Sequence, residues 1–251
     1  MKMHFQFFLW MSFLVSLTAC SPSQSATETR RSKDINIIDA THYDAFWIWG
    51  DISSAAYLSK AKEIYVLQGE VKIARDTQKS ILIPQGVAVL KVPHQKVWLV
   101  FRNHHLNWQD YELEQILKRV QQWKNKGNQI IGIQVDFDAK TKNIKEYALF
   151  LQKIRQQLPK QYQLSITGLL DWANIQDAET LRLLRNNIDE LVIQTYQGSN
   201  TIPNYQQYLN KVSKLKLAYK IGIVQHGEWN RQLNFKTDPN FKGYVVFLLR
   251  D

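Results

Sequence analysis

Cysteine is nearly absent from this sequence, with Cys20 the single example in 251 residues. One cysteine excludes an intramolecular disulfide, and it excludes a cysteine nucleophile or a pair of cysteine metal ligands in the rest of the chain. The 6 histidines include no His-x-x-x-His spacing, and the 10 glycines form no glycine-rich phosphate loop. The sequence therefore predicts a protein that works without a bound cofactor or metal ion.

Long hydrophobic runs are absent after residue 20. Before it, residues 5–17 are mostly apolar, but this stretch is shorter than the roughly 20 residues that a membrane span requires. A basic Lys2 followed by a short apolar core is typical of an export signal. The signal ends in Leu17-Thr18-Ala19-Cys20, which resembles a bacterial lipobox. The resemblance implies that Cys20 is lipidated, with palmitate among its acyl chains. An ordinary signal peptide with a stray cysteine is the alternative.

Three segments are expected along the chain: a lipoprotein signal peptide at 1–19, a lipidated cysteine with a flexible tether at 20–33, and one folded domain at 34–251. The tether has almost no apolar residues, which predicts a flexible chain. Ser21 follows the cysteine. By resemblance to known sorting rules, a residue other than Asp at this position indicates the outer membrane. We expect a monomer that is anchored to the membrane by lipid alone.

The net charge of +10 comes from 32 basic and 22 acidic residues that are spread along the chain. Most of the basic residues follow helical patterns, and solvated helix faces are the simplest interpretation. Attraction to anionic envelope polymers or lipid headgroups is the alternative. Nucleic acid is not expected as a partner, because export removes the protein from it.

Short apolar runs alternate with amphipathic stretches through the folded part of the chain. The predicted strands are 46–49, 63–68, 97–102, 130–136, 163–168, 190–196, 216–224 and 243–249. The predicted helices are 52–61, 108–126, 144–158, 173–187 and 203–214. Eight strands alternating with helices in a domain of this size predict an α/β fold, a (β/α)8 TIM-like barrel.

Two features make the predicted barrel irregular. Residues 80–83 and 87–92, joined by Pro84-Gln85-Gly86, favour a β-hairpin in place of the helix after the second strand. The chain also ends directly after the last predicted strand, so we expect no final helix.

The segment Gly132-Ile133-Gln134-Val135-Asp136-Phe137-Asp138 is the most informative in the sequence. It predicts a buried strand, and alternate side chains of a strand point to the same face. Gln134, Asp136 and Asp138 should therefore share one face. Polar groups on a buried strand are costly unless they are satisfied or used, so this face predicts a functional site.

Polar residues follow several other predicted strands, where the active sites of barrel enzymes lie. They include Gln68 and Glu70, Arg102, His104 and His105, Asp171 and Trp172, Gln194, Tyr196 and Gln197, and His226, Glu228 and Trp229. This mixture of carboxylates, amides and aromatic rings suits a carbohydrate ligand. The sequence therefore predicts a pocket that binds a glycan or another envelope polymer.

The fourth-strand segment resembles the Gly-x-Asp-x-Asp-x-Glu motif of the chitinase-like glycosidases, family 18 of the glycoside hydrolases. Gln194-Thr195-Tyr196-Gln197 resembles that family's sixth-strand Met-x-Tyr-Asp. The resemblance implies that Asp138 is the general acid, that Asp136 orients the N-acetyl group of the substrate, and that Tyr196 and Gln197 contact this group. Gln134, Asp138 and Gln197 stand where that family has Asp, Glu and Asp.

More of the chain resembles a family of bacterial lipoproteins known as domain of unknown function 3142. The similar segments are Phe46-Trp47-Ile48-Trp49, Tyr65-Val66-Leu67-Gln68-Gly69-Glu70, Gln134-Val135-Asp136-Phe137-Asp138 and Leu164-Ser165-Ile166-Thr167. This resemblance implies a fold and no activity.

Structural interpretations remain open for several of these residues. Arg102 either pairs with the two aspartates or binds an anionic sugar substituent. Gln68 and Glu70 are two residues apart, so their side chains are expected on the same face of the chain, towards the pocket. A role in the loop is the alternative. Trp49 and Trp172 lie near strand ends, where sugar stacking competes with core packing.

Two functions from different classes fit the sequence. The first is a glycosidase-like enzyme that acts on N-acetylated glycans. The second is a non-catalytic glycan-binding or envelope scaffold protein on the same barrel. A metal-dependent deacetylase or hydrolase is a more remote alternative, since no spacing of metal ligands supports it. Its ligands would be one of His104 and His105, with His226, Asp136 and Glu228.

Overall fold

The computed structural model describes residues 35–50 and 59–249, and they form an α/β barrel. The strands are β1 (Ile35–Ile37), β2 (Ala45–Ile48), β3 (Glu63–Ile73), β4 (Ser80–Pro84), β5 (Lys96–Asn103), β6 (Gln129–Asp136), β7 (Gln163–Gly168), β8 (Glu190–Gln194), β9 (Tyr196–Gln197), β10 (Asn200–Thr201), β11 (Tyr219–Val224), β12 (Glu228–Asn230) and β13 (Phe241–Phe247). The helices are α1 (Asp110–Asn125), α2 (Ile144–Gln157), α3 (Ala178–Asn187) and α4 (Tyr205–Val212).

Eight parallel strands close into a ring in the order β2-β13-β11-β8-β7-β6-β5-β3. Closure is made by β2, because Phe46 pairs with Ile64 of β3 on one side and with Val246 of β13 on the other. The predicted TIM-like barrel is confirmed. All eight barrel strands coincide with predicted strands, with shifts of a few residues at their ends.

The helices pack their apolar faces on the outside of this ring. In α1 the buried residues Leu113, Ile116, Val120 and Trp123 recur at helical spacing. The start of α3 is fixed by Asp177, whose side chain accepts hydrogen bonds from the next backbone amides. Residues 52–58 of the predicted helix over 52–61 lie outside the described residues. Short 3-10 turns precede α2 and α3, which accounts for the later start of α3.

A β-hairpin follows the second barrel strand, but its arms differ from the predicted ones. Strand β3 continues past the barrel, and residues 69–73 pair antiparallel with Ser80–Pro84 of β4. Residues 87–92 form no strand. Instead, the segment contacts β3 at its first residue, where the backbone amide of Val87 donates a hydrogen bond to the carbonyl of Leu67. Because β3 extends past the barrel, β4 pairs with this extension and not with the segment after the turn.

A short ribbon lies outside the barrel near its last strands. Strand β1 pairs antiparallel with β12, and Ile35 lies opposite Asn230. No helix follows β13 within the described part of the chain, which reaches residue 249.

The alternation of side chains along the strands divides the apolar core into two layers. The outer layer, between sheet and helices, includes Phe46, Val66 and Phe101. The inner layer fills the barrel and includes Trp47, Tyr65 and Trp98. Gly222 provides room for this inner layer, because a Cβ atom there would lie 2.7 Å from the ring of Trp47.

Charged groups fill the amino-terminal end of the barrel interior. The Lys220 ammonium lies 2.5 Å from a carboxylate oxygen of Glu63 and 3.0 Å from one of Glu190. It also donates a hydrogen bond to the Tyr65 hydroxyl at 2.8 Å. Burial raises the pKa of Glu190, although the Lys220 charge opposes this shift. A buried lysine between two carboxylates is a strongly coupled network, and loss of one member leaves the others uncompensated.

Candidate functional site

The fourth barrel strand delivers two carboxylates to the carboxyl-terminal end of the barrel. Asp136 is the last residue of β6, and its side chain is 7% exposed. The Thr167 hydroxyl on β7 donates a hydrogen bond of 2.9 Å to Oδ1 of Asp136. The same hydroxyl accepts a hydrogen bond from the backbone amide of Phe137. Thr167 therefore fixes the strand end that leads to Asp138, which is exposed.

Burial raises the pKa of the Asp136 carboxyl from 3.8 to about 6. The nearby charge of Asp138 adds to the shift, while the Thr167 hydroxyl and the Arg102 charge oppose it. Asp136 can therefore gain or lose a proton close to neutral pH. A carboxyl with this property in a cleft is typical of an acid–base site.

The loop after β6 is tied to the loop after β7. The indole N–H of Trp172 donates a 2.7 Å hydrogen bond to the carbonyl of Ala139. The Thr141 hydroxyl donates a 2.5 Å hydrogen bond to Asp171. Both contacts flank Lys140, so they hold the segment that carries Asp138 and Lys140 in place.

These residues border a cleft of about 590 Å³ that opens at the carboxyl-terminal end of the barrel. Its lining combines two carboxylates, two cations, amides and aromatic rings. The lining residues are Trp49, Arg102, Asp136, Asp138, Lys140, Leu169, Gln194, Tyr196, Gln197, Gly198, Ile202 and Phe247.

Aromatic side chains form one wall of the cleft. The rings of Tyr196 and Phe247 stack with their centres 5.3 Å apart, and Trp49 meets Phe247 edge to face at 5.3 Å. The Arg102 guanidinium lies over the Trp49 ring, 5.3 Å from its centre. Burial raises the pKa of the Tyr196 hydroxyl well above its usual value of 10, so this hydroxyl is a neutral hydrogen-bonding group. The wall offers apolar faces together with hydrogen-bond donors, as sugar rings require.

Six of the ten residues expected to act on or bind substrate line this cleft: Asp136, Asp138, Arg102, Tyr196, Gln197 and Trp49. Glu70 itself pairs with Arg102 in the β3–β5 register, and its carboxylate contacts His104 and Lys72. The hydrogen bond from His104 lowers the pKa of Glu70. Glu70 therefore lies next to the cleft and is engaged by other side chains.

Gln134 lies deeper in the barrel than the cleft. It is fully buried, accepts a 2.6 Å hydrogen bond from the Trp47 indole and donates one of 2.9 Å to Ser165. Ser165 in turn donates to Glu190. Gln134 thus connects the site strand with the charged network below it.

Gln68 lies on the opposite side of the sheet from the cleft. The register between β3 and β5 shifts between Leu67 and Gly69, so a β-bulge reverses the direction of the side chains at this point. The Gln68 amide donates to the carbonyl of Val87 and accepts from the Trp123 indole. The bulge explains why Gln68 and Glu70, two residues apart, face different surroundings.

Trp172 is fully buried and serves the loop contact described above. Trp229 is also buried and stacks on Tyr205 at 5.0 Å. Neither ring lines the cleft. Their positions just past strand ends are compatible with either packing or ligand contact, and only tertiary contacts distinguish the two.

Sequence reasoning did not single out several residues of the cleft. Lys140, Leu169, Ile202 and Phe247 line it, and Thr167 supports Asp136 from the neighbouring strand. A signal existed for Phe247, which lies near the end of the last predicted strand, and for Thr167, which is in phase with Ser165. Lys140 belongs to a loop, where no periodicity marks a side chain.

The histidines of the predicted strand ends are separated. His104 contacts Glu70, and His105 lies 3.2 Å from the Ser80 hydroxyl. Within residues 35–50 and 59–249, no group of three or more His, Cys, Asp and Glu side chains is placed to hold a metal ion. In the same residues, no helix is both long enough and apolar enough to cross a membrane.

The raised pKa of Asp136 predicts a stability effect. The folded protein binds this proton more tightly than the unfolded chain, so stability falls as the pH rises from about 4 to about 6 and stays lower above that. We expect Asp136→Asn to raise the free energy of unfolding by about 1–3 kcal/mol at pH 8 and by little at pH 4. Urea unfolding at both pH values measures the difference.

Asp138→Asn is the matched control, since Asp138 is exposed and lies two residues away. Substitutions at exposed positions usually change the free energy of unfolding by no more than about 0.5 kcal/mol. A gain that is equal at pH 4 and pH 8 for Asp136→Asn would show that burial of the charge is not the cause.

Comparison with known proteins gives a family match and a structural likeness. The model of the family described as "Domain of unknown function (DUF3142)" matches residues 102–218. The expected resemblance to this family is confirmed over that segment, which contains β6, includes both Asp136 and Asp138, and extends past Tyr196.

Among solved structures, the crystal structure of the Bacillus cereus spore cortex-lytic enzyme SleL is similar to this chain, with a TM-score of 0.48 and 16% sequence identity. The match covers 72% of this chain and 49% of that one, so the chain spans about half the length of that enzyme. No curated protein matches the sequence.

Proposed function

We propose that this protein is a glycoside hydrolase that acts on N-acetylated glycans of the bacterial cell envelope. The observation that carries the proposal is the pairing of a buried carboxyl, Asp136, with an exposed one, Asp138, in an open cleft with an aromatic wall. Two carboxyls in different surroundings can take different roles in acid–base chemistry. The barrel alone does not argue for any reaction.

Asp138 is the candidate for the general acid. Its exposed side chain borders the cleft, where it has access to the oxygen of a leaving sugar. In the reaction the acetamide oxygen of the substrate attacks the anomeric carbon, the glycosidic bond breaks, and Asp138 gives its proton to the departing oxygen. Water then adds to the cyclic intermediate and returns a proton to Asp138.

Asp136 is the candidate for the group that orients the acetamide. Its Oδ1 is held by Thr167, and its carboxylate form can accept a hydrogen bond from the acetamide N–H. The Tyr196 hydroxyl borders the same cleft and is a donor for the acetamide oxygen. Because the route uses a substrate group as the nucleophile, it requires one acid and one orienting carboxylate and lies outside the usual two-carboxylate scheme.

We also propose a location in the cell envelope, and the support for it comes from the sequence alone. A lipobox-like sequence that ends at Cys20, followed by a serine at position 21, supports an outer-membrane lipoprotein. A lipid-anchored barrel of this kind meets envelope polymers as its nearest glycans.

Mass spectrometry of reaction products tests the proposal. The protein is incubated with peptidoglycan, poly-N-acetylglucosamine and chitin oligomers, beside the double variant Asp136→Asn/Asp138→Asn. Cleaved fragments that require the two aspartates are the expected result. Intact polymers in every incubation would refute the proposal for these substrates.

A non-catalytic glycan-binding protein is the second candidate. The environment of Gln134 favours it. This residue belongs to the fourth-strand motif, but its side chain is hydrogen-bonded to Trp47 and Ser165 inside the barrel. Retention of the wild-type protein on immobilised glycan without release of fragments is the result that this candidate predicts.

A further inference from the structure

Arg102 is a cation of the cleft without a carboxylate partner among the residues that the structure describes. It follows Val100 on the face of β5 that points into the barrel, and it is half-buried. Within residues 35–50 and 59–249, none of the ion pairs of 4.0 Å or less includes it. A half-buried guanidinium at the wall of a cleft is therefore available to a ligand.

The acidic neighbours of Arg102 are engaged elsewhere. Glu70 lies opposite Arg102 in the β3–β5 register, but its carboxylate contacts His104 and Lys72. Asp136 lies opposite Arg102 on the other side, in the β5–β6 register, and its Oδ1 accepts from Thr167. The fold thus places two acids beside Arg102: Glu70 is engaged by other side chains, and Asp136 has one oxygen on Thr167 and interacts with the Arg102 charge at longer range.

Trp49 supports the guanidinium from one side. The Arg102 charge lies 5.3 Å from the centre of the Trp49 ring, within the range of a cation–π contact. A guanidinium held against an aromatic face keeps the donors of its planar fork for a second partner. This fork matches the two oxygens of a carboxylate.

Lys140 adds a second positive charge to the same cleft. It is exposed, and its loop is held by the Trp172–Ala139 and Thr141–Asp171 hydrogen bonds. The two cations balance Asp136 and Asp138 in the cleft lining. A bound anion would be attracted by Arg102 and Lys140.

We propose that Arg102, with Lys140, forms a subsite for a sugar that carries a carboxylate, so that the preferred glycan is acidic. The inference rests on the proposed function in taking this cleft as the sugar-binding site. It assigns to Arg102 a bidentate contact with the carboxylate and to Lys140 a longer-range attraction.

Isothermal titration calorimetry tests this subsite with one glycan in two forms. The probe is a tetrasaccharide of alternating N-acetylglucosamine and N-acetylmuramic acid with free lactyl carboxylates, and its control has these groups converted to methyl amides. Binding is measured at pH 8 in the Asp138→Asn protein, so that turnover is suppressed and Asp136 is ionised. We expect the acidic form to bind about tenfold to a hundredfold more tightly.

Variants then assign the preference to the cations. Arg102→Gln should remove most of the preference, Arg102→Lys should keep only part of it because the fork is lost, and Lys140→Gln should reduce it by a smaller factor. Lys142→Gln is the matched control, since Lys142 is exposed and does not line the cleft.

Equal affinity for the acidic and amidated forms would overturn the subsite, and so would a preference that survives Arg102→Gln. Turnover of the two forms by the protein with Asp138 intact distinguishes this failure from that of the proposed function. Cleavage of both forms at equal rates leaves a glycosidase without an anion subsite. Selective binding without cleavage leaves the subsite and refutes the hydrolase.

Discussion

Asp138→Asn is expected to lower kcat/KM for the cleaved glycan by about two to four orders of magnitude, the usual contribution of a general acid. The amide cannot give a proton to the leaving oxygen, while its size and its exposed position are nearly unchanged. The loss should therefore appear in kcat, with KM changed little. Steady-state kinetics on a soluble oligosaccharide that the protein cleaves provide the measurement.

Two further variants make this result specific. Asp138→Glu keeps the carboxyl and extends it by one methylene, so we expect it to retain activity or to exceed the wild type. Lys142→Gln changes an exposed residue of the same loop and should leave kcat within about twofold. An Asp138→Asn protein with full turnover would remove Asp138 from the chemistry and leave Asp136 as the remaining acid among the described residues that line the cleft.

Lys220→Met is expected to destabilise the protein by about 3–5 kcal/mol at pH 7, because it leaves the carboxylates of Glu63 and Glu190 in the barrel without their cation. Lys220 is only 8% exposed, so water cannot replace it. The pKa of Glu190 is already raised by burial and should rise further without the lysine. The destabilisation should therefore be smaller at pH 5 than at pH 7, because a raised pKa lets Glu190 take up a proton more readily as the pH falls. Urea unfolding at the two pH values measures both effects.

Lys96→Met is the matched control for this variant. Lys96 borders the same end of the barrel as Lys220 but is exposed, so its removal should cost no more than about 0.5 kcal/mol. Lys220→Met/Glu190→Gln removes one carboxylate with the lysine and should recover part of the lost stability. A single Lys220→Met variant that unfolds like the wild type would mean that the network contributes nothing to the fold.

The barrel was predictable because its signals are local. Each barrel strand is a short apolar run, and α1 and α2 carry their buried residues at helical spacing, so the alternation of elements could be read along the chain. The hairpin arms were not predictable in detail. Whether Ser80–Pro84 pairs with residues before or after it depends on how far β3 extends, and the apolar character of 87–92 suits burial without a strand just as well.

The candidate site was also predictable only in part. Strand alternation by itself determined that Asp136 and Asp138 leave β6 together at the end of the barrel where the loops of a (β/α)8 fold meet. Only the tertiary structure decided which polar residues accompany them. The β-bulge turns Gln68 away, the depth of Gln134 along β6 commits it to the barrel interior, and loop contacts bring Lys140 to the cleft.

The sequence therefore determined the class of fold, the strand that carries the carboxylates and the residues at the strand ends, because these follow from the local period of apolar side chains. Tertiary structure decided the burial of Asp136 and its raised pKa, the engagement of Glu70 by His104, and the position of Arg102 over Trp49. Each of these depends on groups that lie far apart in the chain and meet only when the barrel closes.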